Sequence, residues 1–369
     1  MIPYVEILKW NNAKTSIEPF GLIEPSQCWF ELSYYETGEF EIYAAASLTS
    51  VEALQKGNFV RIPNKPYLWV ITSIQYEFNT EGGRMVDAKG YEAKWIVSKR
   101  IIRDPLQLPS NLVDAMKLLF DNNLGSKAIS QRRINGLTYD FSALSGKTTE
   151  AQATRGNLYE FSCNLLKLHQ SGLISTYLNG NLRVEALVGQ DRSESILFSQ
   201  SMDNLISATY YTSDSEKKTH CQIVSTFSET TGTGAARTTT TDEYVAYYPD
   251  ETEAPSGIDR IEMLLQSNLS TKVTQEDGTE IEIDPSSQTY QDMQKSEGAS
   301  ALAEKIEVVE FNGEIDLQNS NYEFATDFFI GDLVMVRDEY FGYSAKARII
   351  KYTFKQDESG YGEEAEYGE

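Results

Sequence analysis

The residues able to do chemistry are few and scattered. Two histidines, His169 and His220, lie far apart. No HExxH, no clustered Asp/His set and no metal-spaced Cys/His motif occurs, so a zinc site is not signalled. GxSxG is missing, although a triad assembled in space needs no such string. GxGxxG, the GxxxxGKS/T phosphate cradle and an EF-hand loop are all absent. Each histidine reads as a surface or satisfied core residue. A glycosidase needs two carboxyl groups ~5–9 Å apart, and Asp140, Asp191, Glu262 and Asp332 are candidates. None is distinguished by its context, and most of the 55 Asp and Glu must be solvated surface. Cys28, Cys163 and Cys221 form no CxxC pair and read as small buried thiols rather than a disulfide framework or zinc ribbon. No catalytic, cofactor-binding or metal-ligating residue is predicted, and the chain is not expected to be an enzyme.

What would position any site must come from the rest of the chain. At roughly 150 residues per domain, 369 residues make two to three domains, ample to bury cores without disulfides. The formal net charge is −23, which argues against a non-specific grip on nucleic acid or an anionic membrane, because both need a basic face. A local basic groove would survive that total, but no Lys/Arg-rich run appears. The N-terminus lacks a basic and an apolar signal region. No apolar run approaches the ~20 residues that span a bilayer. Synthesis in the cytoplasm is expected, wherever the protein later goes. Tyrosine is the compositional outlier: 22 Tyr with 16 Phe and 4 Trp suit half-buried strand surfaces.

The first hundred residues read as β. Trp29 to Tyr34 and Phe40 to Tyr43 alternate apolar and polar. Trp69 to Phe78 is a long strand, returning after a turn at Asn79 to Gly83 as Met85 to Gly90. Short strands at 8–12-residue spacing indicate a sandwich or barrel. Pro105 and Pro109 break the pattern. Ser110-Asn111 caps a helix carrying Leu112, Met116, Leu119 and Phe120 on one face. Asn157 to Gln170 is a second helix, with Gly172 as its stop. Asn179-Gly180 between two strand runs signals a hairpin. Strands resume at Ser207, His220 and Glu243, with a Ser/Thr/Gly loop or hairpin tip at 228–241. An acidic excursion follows over 270–298 with Asp277-Gly278, then a helix over 299–309 and strands at Glu314–Leu317, Asp332–Val336 and Ala347–Phe354. Two "Gly, polar, strand, turn, strand" units, from Gly57 and from Gly331, echo one another; duplication and chance both produce such an echo.

Several stretches together resemble the tail-tip hub proteins of long-tailed bacteriophages, the siphophage Tal-type family. They are Trp29-Phe30-Glu31-Leu32, Thr37-Gly38-Glu39-Phe40-Glu41-Ile42, Gly57-Asn58-Phe59-Val60, Gly90-Tyr91-Glu92-Ala93-Lys94-Trp95-Ile96 and Ser98-Lys99-Arg100-Ile101-Ile102. Val188-Gly189-Gln190-Asp191-Arg192-Ser193 with Ile196-Leu197-Phe198-Ser199 follows, then Asp327-Phe328-Phe329-Ile330-Gly331-Asp332-Leu333-Val334. Each motif is weak alone; their order along most of the chain carries the resemblance.

The resemblance implies a β-rich α+β fold, two related β-barrel domains with α+β domains inserted, as in the contractile-phage baseplate hub. The expected division is 1–103 first barrel, 104–195 α+β domain, 196–255 plus 314–369 second barrel, and 256–313 an inserted small α+β domain or excursion. It implies a homotrimer whose two barrels per chain match a sixfold distal tail protein ring, located at the virion tail tip. Such a hub caps the tail tube, meets tube or tape-measure protein and receptor-binding or fibre proteins, and opens for DNA that passes without being held. Stable membrane binding and cofactors are not implied. Longer members carry a C-terminal peptidoglycan-cutting or fibre domain, and the end at Glu369 leads us to expect the hub portion alone. Gly38, Gly57 and Gly331 are expected at turns with positive φ or close backbone approach, and Gly90 falls in the same class. Arg100 and Arg192 fit either interface pairs with acids or solvated surface. Asp191, Asp327 and Asp332 are acidic candidates for structural turn or interface roles. A β-rich carbohydrate-binding module and a cell-wall glycan or peptidoglycan hydrolase are the competing expectations.

Overall fold

Period-2 alternation becomes strand pairing along most of the chain. The computed structural model describes residues 2–79, 83–231, 238–275, 278–315, 321–340 and 342–368. The expected turn at 80–82, the tip at 232–237, Asp277 and residues 316–317 lie outside them. The N-terminal part contributes β1 (Val5–Trp10), β2 (Ile17–Ile23), β3 (Gln27–Ser33), β4 (Glu39–Ala45), a short helix α1 (Leu48–Ala53), β5 (Phe59–Arg61), β6 (Trp69–Asn79) and β7 (Gly83–Glu92). In β3, Cys28, Phe30 and Leu32 point inward while Trp29 and Glu31 stay half-buried, as the alternation requires. The later part contributes β8 (Leu197–Ser199), β9 (Leu205–Ser213), β10 (Val308–Ile315), β11 (Leu333–Asp338), β12 (Tyr343–Asp357) and β13 (Gly360–Gly368).

These strands make one thirteen-stranded sheet in the order β9-β10-β13-β12-β3-β4-β7-β6-β5-β1-β2, with β11 also on β12 and β8 on β11. Two separate barrels are not seen, and among the described residues no sheet closes into a barrel. The junction explains why. β3 and β12 pair antiparallel from Lys351↔Ser33 to Gln356↔Cys28, so each strand satisfies the other's free edge. One apolar core follows the sheet across this seam. Phe30 stacks on Phe40 at 5.6 Å, and Phe324 stacks on Tyr352 at 3.8 Å. All four are buried in the same cluster.

A second core belongs to the α+β segment. Asn111 caps α2 (Leu112–Asn123), its Oδ1 accepting from the Val113 and Asp114 amides. Asn157 caps α3 (Leu158–Lys167) likewise. Helix α3 packs on the hairpin Ser171–Leu178/Asn181–Val188 and α2 on α3, within one apolar core; the hairpin's turn has Asn179 at φ 49° and Gly180 at φ 81°, the two positive values of a type I′ turn. The chain leaves α3 through Gln170 at φ 48°. Gly172 is not the helix stop but a strand residue, pressed so closely that a Cβ would lie 2.2 Å from the Tyr34 carbonyl oxygen.

The remaining unit is a three-stranded sheet, His220–Thr231, Thr238–Tyr248 and Glu262–Gln266, covered by α4 (Gln288–Ala303). The helix therefore starts earlier than expected, and strand β10 begins at Val308. Ser287 caps it. Its inward face hides behind polar residue types: Gln294 is buried, donating to Ser225 Oγ and the Tyr244 carbonyl. Glu297 on α4 accepts from Ser267 Oγ at 2.6 Å and the Asn268 amide at 3.3 Å. Burial still pushes its carboxyl above the ordinary value. The native state thus keeps this proton at a pH where the unfolded chain has lost it. The group's contribution to stability is greatest below the unfolded value near 4.5 and falls as pH rises through the native one. The melting temperature of Glu297→Gln, relative to wild type, is expected to climb as pH rises above about 4.5. A difference independent of pH in thermal melts would contradict this.

Candidate functional site

The residues singled out by the sequence gather mainly at two joints of the sheet. At the first, β7 runs into a 3-10 helix, Ala93–Lys99, which turns Glu92 and Lys94 into the interior. Both side chains are fully buried, with Lys94 Nζ 2.9 Å from Glu92 Oε2. Lys94 also donates to the carbonyls of Ser33 and Leu173, the latter at 2.8 Å. Glu92 Oε2 accepts from the amides of Ser33 and Gly38 at 3.0 and 2.8 Å. One ion pair therefore ties β3, the β3–β4 turn, β7 and the α+β hairpin together. Burial raises the Glu92 carboxyl, and Lys94 and the two amides pull against it. Gly38 and Gly90 make room: a Cβ would stand 2.2 Å from the Glu31 oxygen at the former and 1.9 Å from the Val70 oxygen at the latter.

The second joint surrounds Tyr34 at the end of β3. Its one O–H proton is shared between the Gln170 and Leu187 carbonyls, both at 3.0 Å, and its oxygen accepts from the Gly189 amide at 3.1 Å. Gly331, at φ 89°, lies under the Tyr34 ring, and Gly189 lies against the Gly331 carbonyl. Arg348 donates to that carbonyl at 2.6 Å. Beside it, buried Asp332 takes Arg192 Nε at 2.7 Å and the amides of Gln190 and Phe329 at 2.8 and 3.0 Å. Asp191 is exposed and accepts from Ser193 and from Lys346 Nζ at 2.9 Å; these bonds hold its carboxyl well below the usual range. Asp327 caps its own turn by accepting from the Glu323 amide. Asp191, Arg192, Gly331 and Asp332 thus converge, whereas Gly57 sits alone before β5 at φ 88° with open space around it. Arg100 is elsewhere again, donating to the Arg132 and Lys99 carbonyls rather than to a carboxylate.

The four acids weighed as a hydrolytic pair each have a cation partner, Arg183 and Arg260 being shared with Glu185 and Glu251. Asp140 pairs with Arg183, Asp191 with Lys346, Glu262 with Arg260 and Asp332 with Arg192. Asp140 and Asp191 are both held low, the reverse of what a general acid requires. His220 is buried, stacked on Tyr247 and 3.1 Å from Arg260. His169 is pulled down by burial and by Lys147. The three cysteines are unpaired. Among the described residues no group of His, Cys, Asp or Glu is placed to hold a metal ion, and no helix is long and apolar enough to cross a membrane. The residues brought together here join elements of the fold through hydrogen bonds and ion pairs.

The profile described as Siphovirus ReqiPepy6 Gp37-like protein matches residues 24–369. The chain belongs to this family. No curated protein matches it. Among solved structures, this Gp37-like chain is similar to the tail protein from Neisseria meningitidis MC58, with 11% identity, TM-score 0.56, and 99% of this chain and 96% of that one covered. It is also similar to the 43 kDa tail protein of prophage MuSo2 from Shewanella oneidensis, with 13% identity, TM-score 0.54, and 99% and 98% covered. At such identities the likeness is one of fold: a β-rich architecture with few helices, as in phage tail proteins. Tyr34, Lys94 and Arg348, which join the elements of this Gp37-like chain, were not singled out from sequence. The signal for Lys94 was there: one lysine inside Ala93-Lys94-Trp95-Ile96-Val97, where every neighbour is apolar.

Proposed function

We propose that the protein is a structural hub of the phage tail tip: three copies form a ring that caps the tail tube below the distal tail protein ring and opens for DNA. The observation that carries this reading is the seam between β3 and β12, which fuses an N-terminal and a C-terminal strand set into one plate. A ring subunit needs its two halves locked in register, and both polar joints grip β3 at the Ser33–Tyr34 end of that seam. Membership of a siphovirus family and a fold shared over 99% of the chain with two tail proteins, one of them from a prophage, support the same reading. The −23 charge suits a pore that DNA traverses without sticking, since phosphates are repelled by carboxylates. Tube or tape-measure protein above and fibre or receptor-binding proteins around it are the further partners. The test is native mass spectrometry and electron microscopy of the purified protein with its tail ring. A threefold ring with a central opening is the expected result; a monomer that never joins the tail ring would sink the reading.

A further inference from the structure

A basic cleft is assembled on this acidic protein from segments that are separate in sequence. Residues 99–133 carry seven Lys and Arg against three Asp. Folding brings Arg103, Lys127 and Arg132 to the wall of one concave cleft of about 520 Å³ between α2 and the antiparallel strand pair Lys272–Thr274/Glu280–Glu282. Asp104 is its sole acidic lining residue among those described. Arg100 adjoins it, bonded to the Arg132 carbonyl. Arg132 in turn donates to the Ile101 carbonyl at 2.5 Å. Burial first, then the facing Arg103 and Arg100, pull the Arg132 guanidinium below its ordinary value. Among the described residues none of these cations forms a salt bridge, while most surface lysines on the sheet have a carboxylate partner. Two large apolar side chains sit within the patch, Ile101 at 57% and Ile129 at 54% exposure.

Unpaired cations around exposed isoleucines have the make-up of a protein interface, an apolar centre with a polar rim. A phosphate backbone would use the cations and leave the isoleucines idle. Copies carrying −23 each repel one another, so self-association needs a patch of opposite sign on each subunit. We infer that this cleft receives an acidic surface of a second copy of the chain, in a head-to-tail contact of the kind that closes a ring. This rests on the trimeric reading above and adds the surface that makes it.

The test compares the wild-type chain with Arg103→Glu/Lys127→Glu and with Ile129→Asp, by sedimentation at 0.1 and 1 M NaCl. These side chains are exposed, so circular dichroism melts are expected to match. Wild type is expected to be a trimer that weakens at high salt, where the Debye length falls to about 3 Å. The double reversal is expected to weaken association at least ~100-fold, and Ile129→Asp to weaken it with all cations retained. Carbodiimide cross-linking of mixed unlabelled and 15N-labelled protein is expected to join Lys127 to an Asp or Glu of the other isotope. A trimer that persists in both variants overturns the cleft assignment and leaves the ring standing. A wild type that is monomeric throughout overturns both. Duplex DNA retarded by wild type and released by the reversal assigns the cleft to nucleic acid instead.

Discussion

Lys94→Met is expected to destabilise the fold by about 3–5 kcal/mol, the usual penalty for stranding one partner of a buried ion pair. Methionine fills the lysine's volume, so the effect isolates the charge. Glu92 would remain fully buried with its cation gone, and its Oε1 already accepts no hydrogen bond among the described residues. The carbonyls of Ser33 and Leu173 would also lose their donor. Adding Glu92→Gln removes the stranded charge and keeps an acceptor for the Gly38 and Ser33 amides. The double variant is therefore expected to recover at least half of the loss. Urea unfolding followed by Trp fluorescence reads both, since Trp69 is buried and donates to the Glu31 carbonyl beside this joint. A single variant as stable as wild type, or a double variant worse than the single, would count against the pair as the strut of the joint.

Gly189→Val is expected to cost more than about 4 kcal/mol and to leave little soluble protein. A Cβ at 189 would stand 1.6 Å from the Gly331 carbonyl oxygen. That oxygen is backbone, held by Arg348 and by the Tyr34 ring packed against Gly331. No side-chain rotation relieves the clash, so strands must part. Gly57→Ala is the control. Its φ of 88° disfavours a side chain, but the space is open. About 1–2 kcal/mol of backbone strain is expected there. Thermal melts and soluble yield rank the two; equal losses would show that the contact at Gly189 is softer than its geometry.

These two joints mark the limit of what the sequence discloses. Local chemistry reads well: Asn111 and Asn157 announce their helices through capping, and Asn179-Gly180 its turn. Alternation in β3 and β4 gives the correct inward faces. Contacts between distant segments do not read. Ser33 and Lys351 carry no mark of being partners, so two barrels and one continuous sheet look alike in the strand pattern. Helix α4 escapes at its start because Gln294 and Tyr290 are buried through hydrogen bonds rather than through apolarity. The cleft escapes because Arg103, Lys127 and Arg132 are a run only in space. Glycine is the partial exception: Gly38, Gly57 and Gly331 are legible as special, though not which of them would be crowded and which free.

The seam at β3 and β12 also sets a timetable. β3 leaves the ribosome early, but the strand that completes its edge follows 318 positions later, as the pairing of Ser33 with Lys351 requires. At about 5–20 residues per second, that edge waits roughly fifteen to sixty seconds. Meanwhile β1 to β7 can pair among themselves, and the α+β core can close on β1, β5 and β6 through Leu8, Phe59 and Val70. The final act is a zipper at the chain's two ends, where the Ile2 amide meets Gln356 Oε1. Until then each nascent copy offers an unpaired strand to its neighbours on the same message, so the most vulnerable moment in this protein's life falls during its own synthesis.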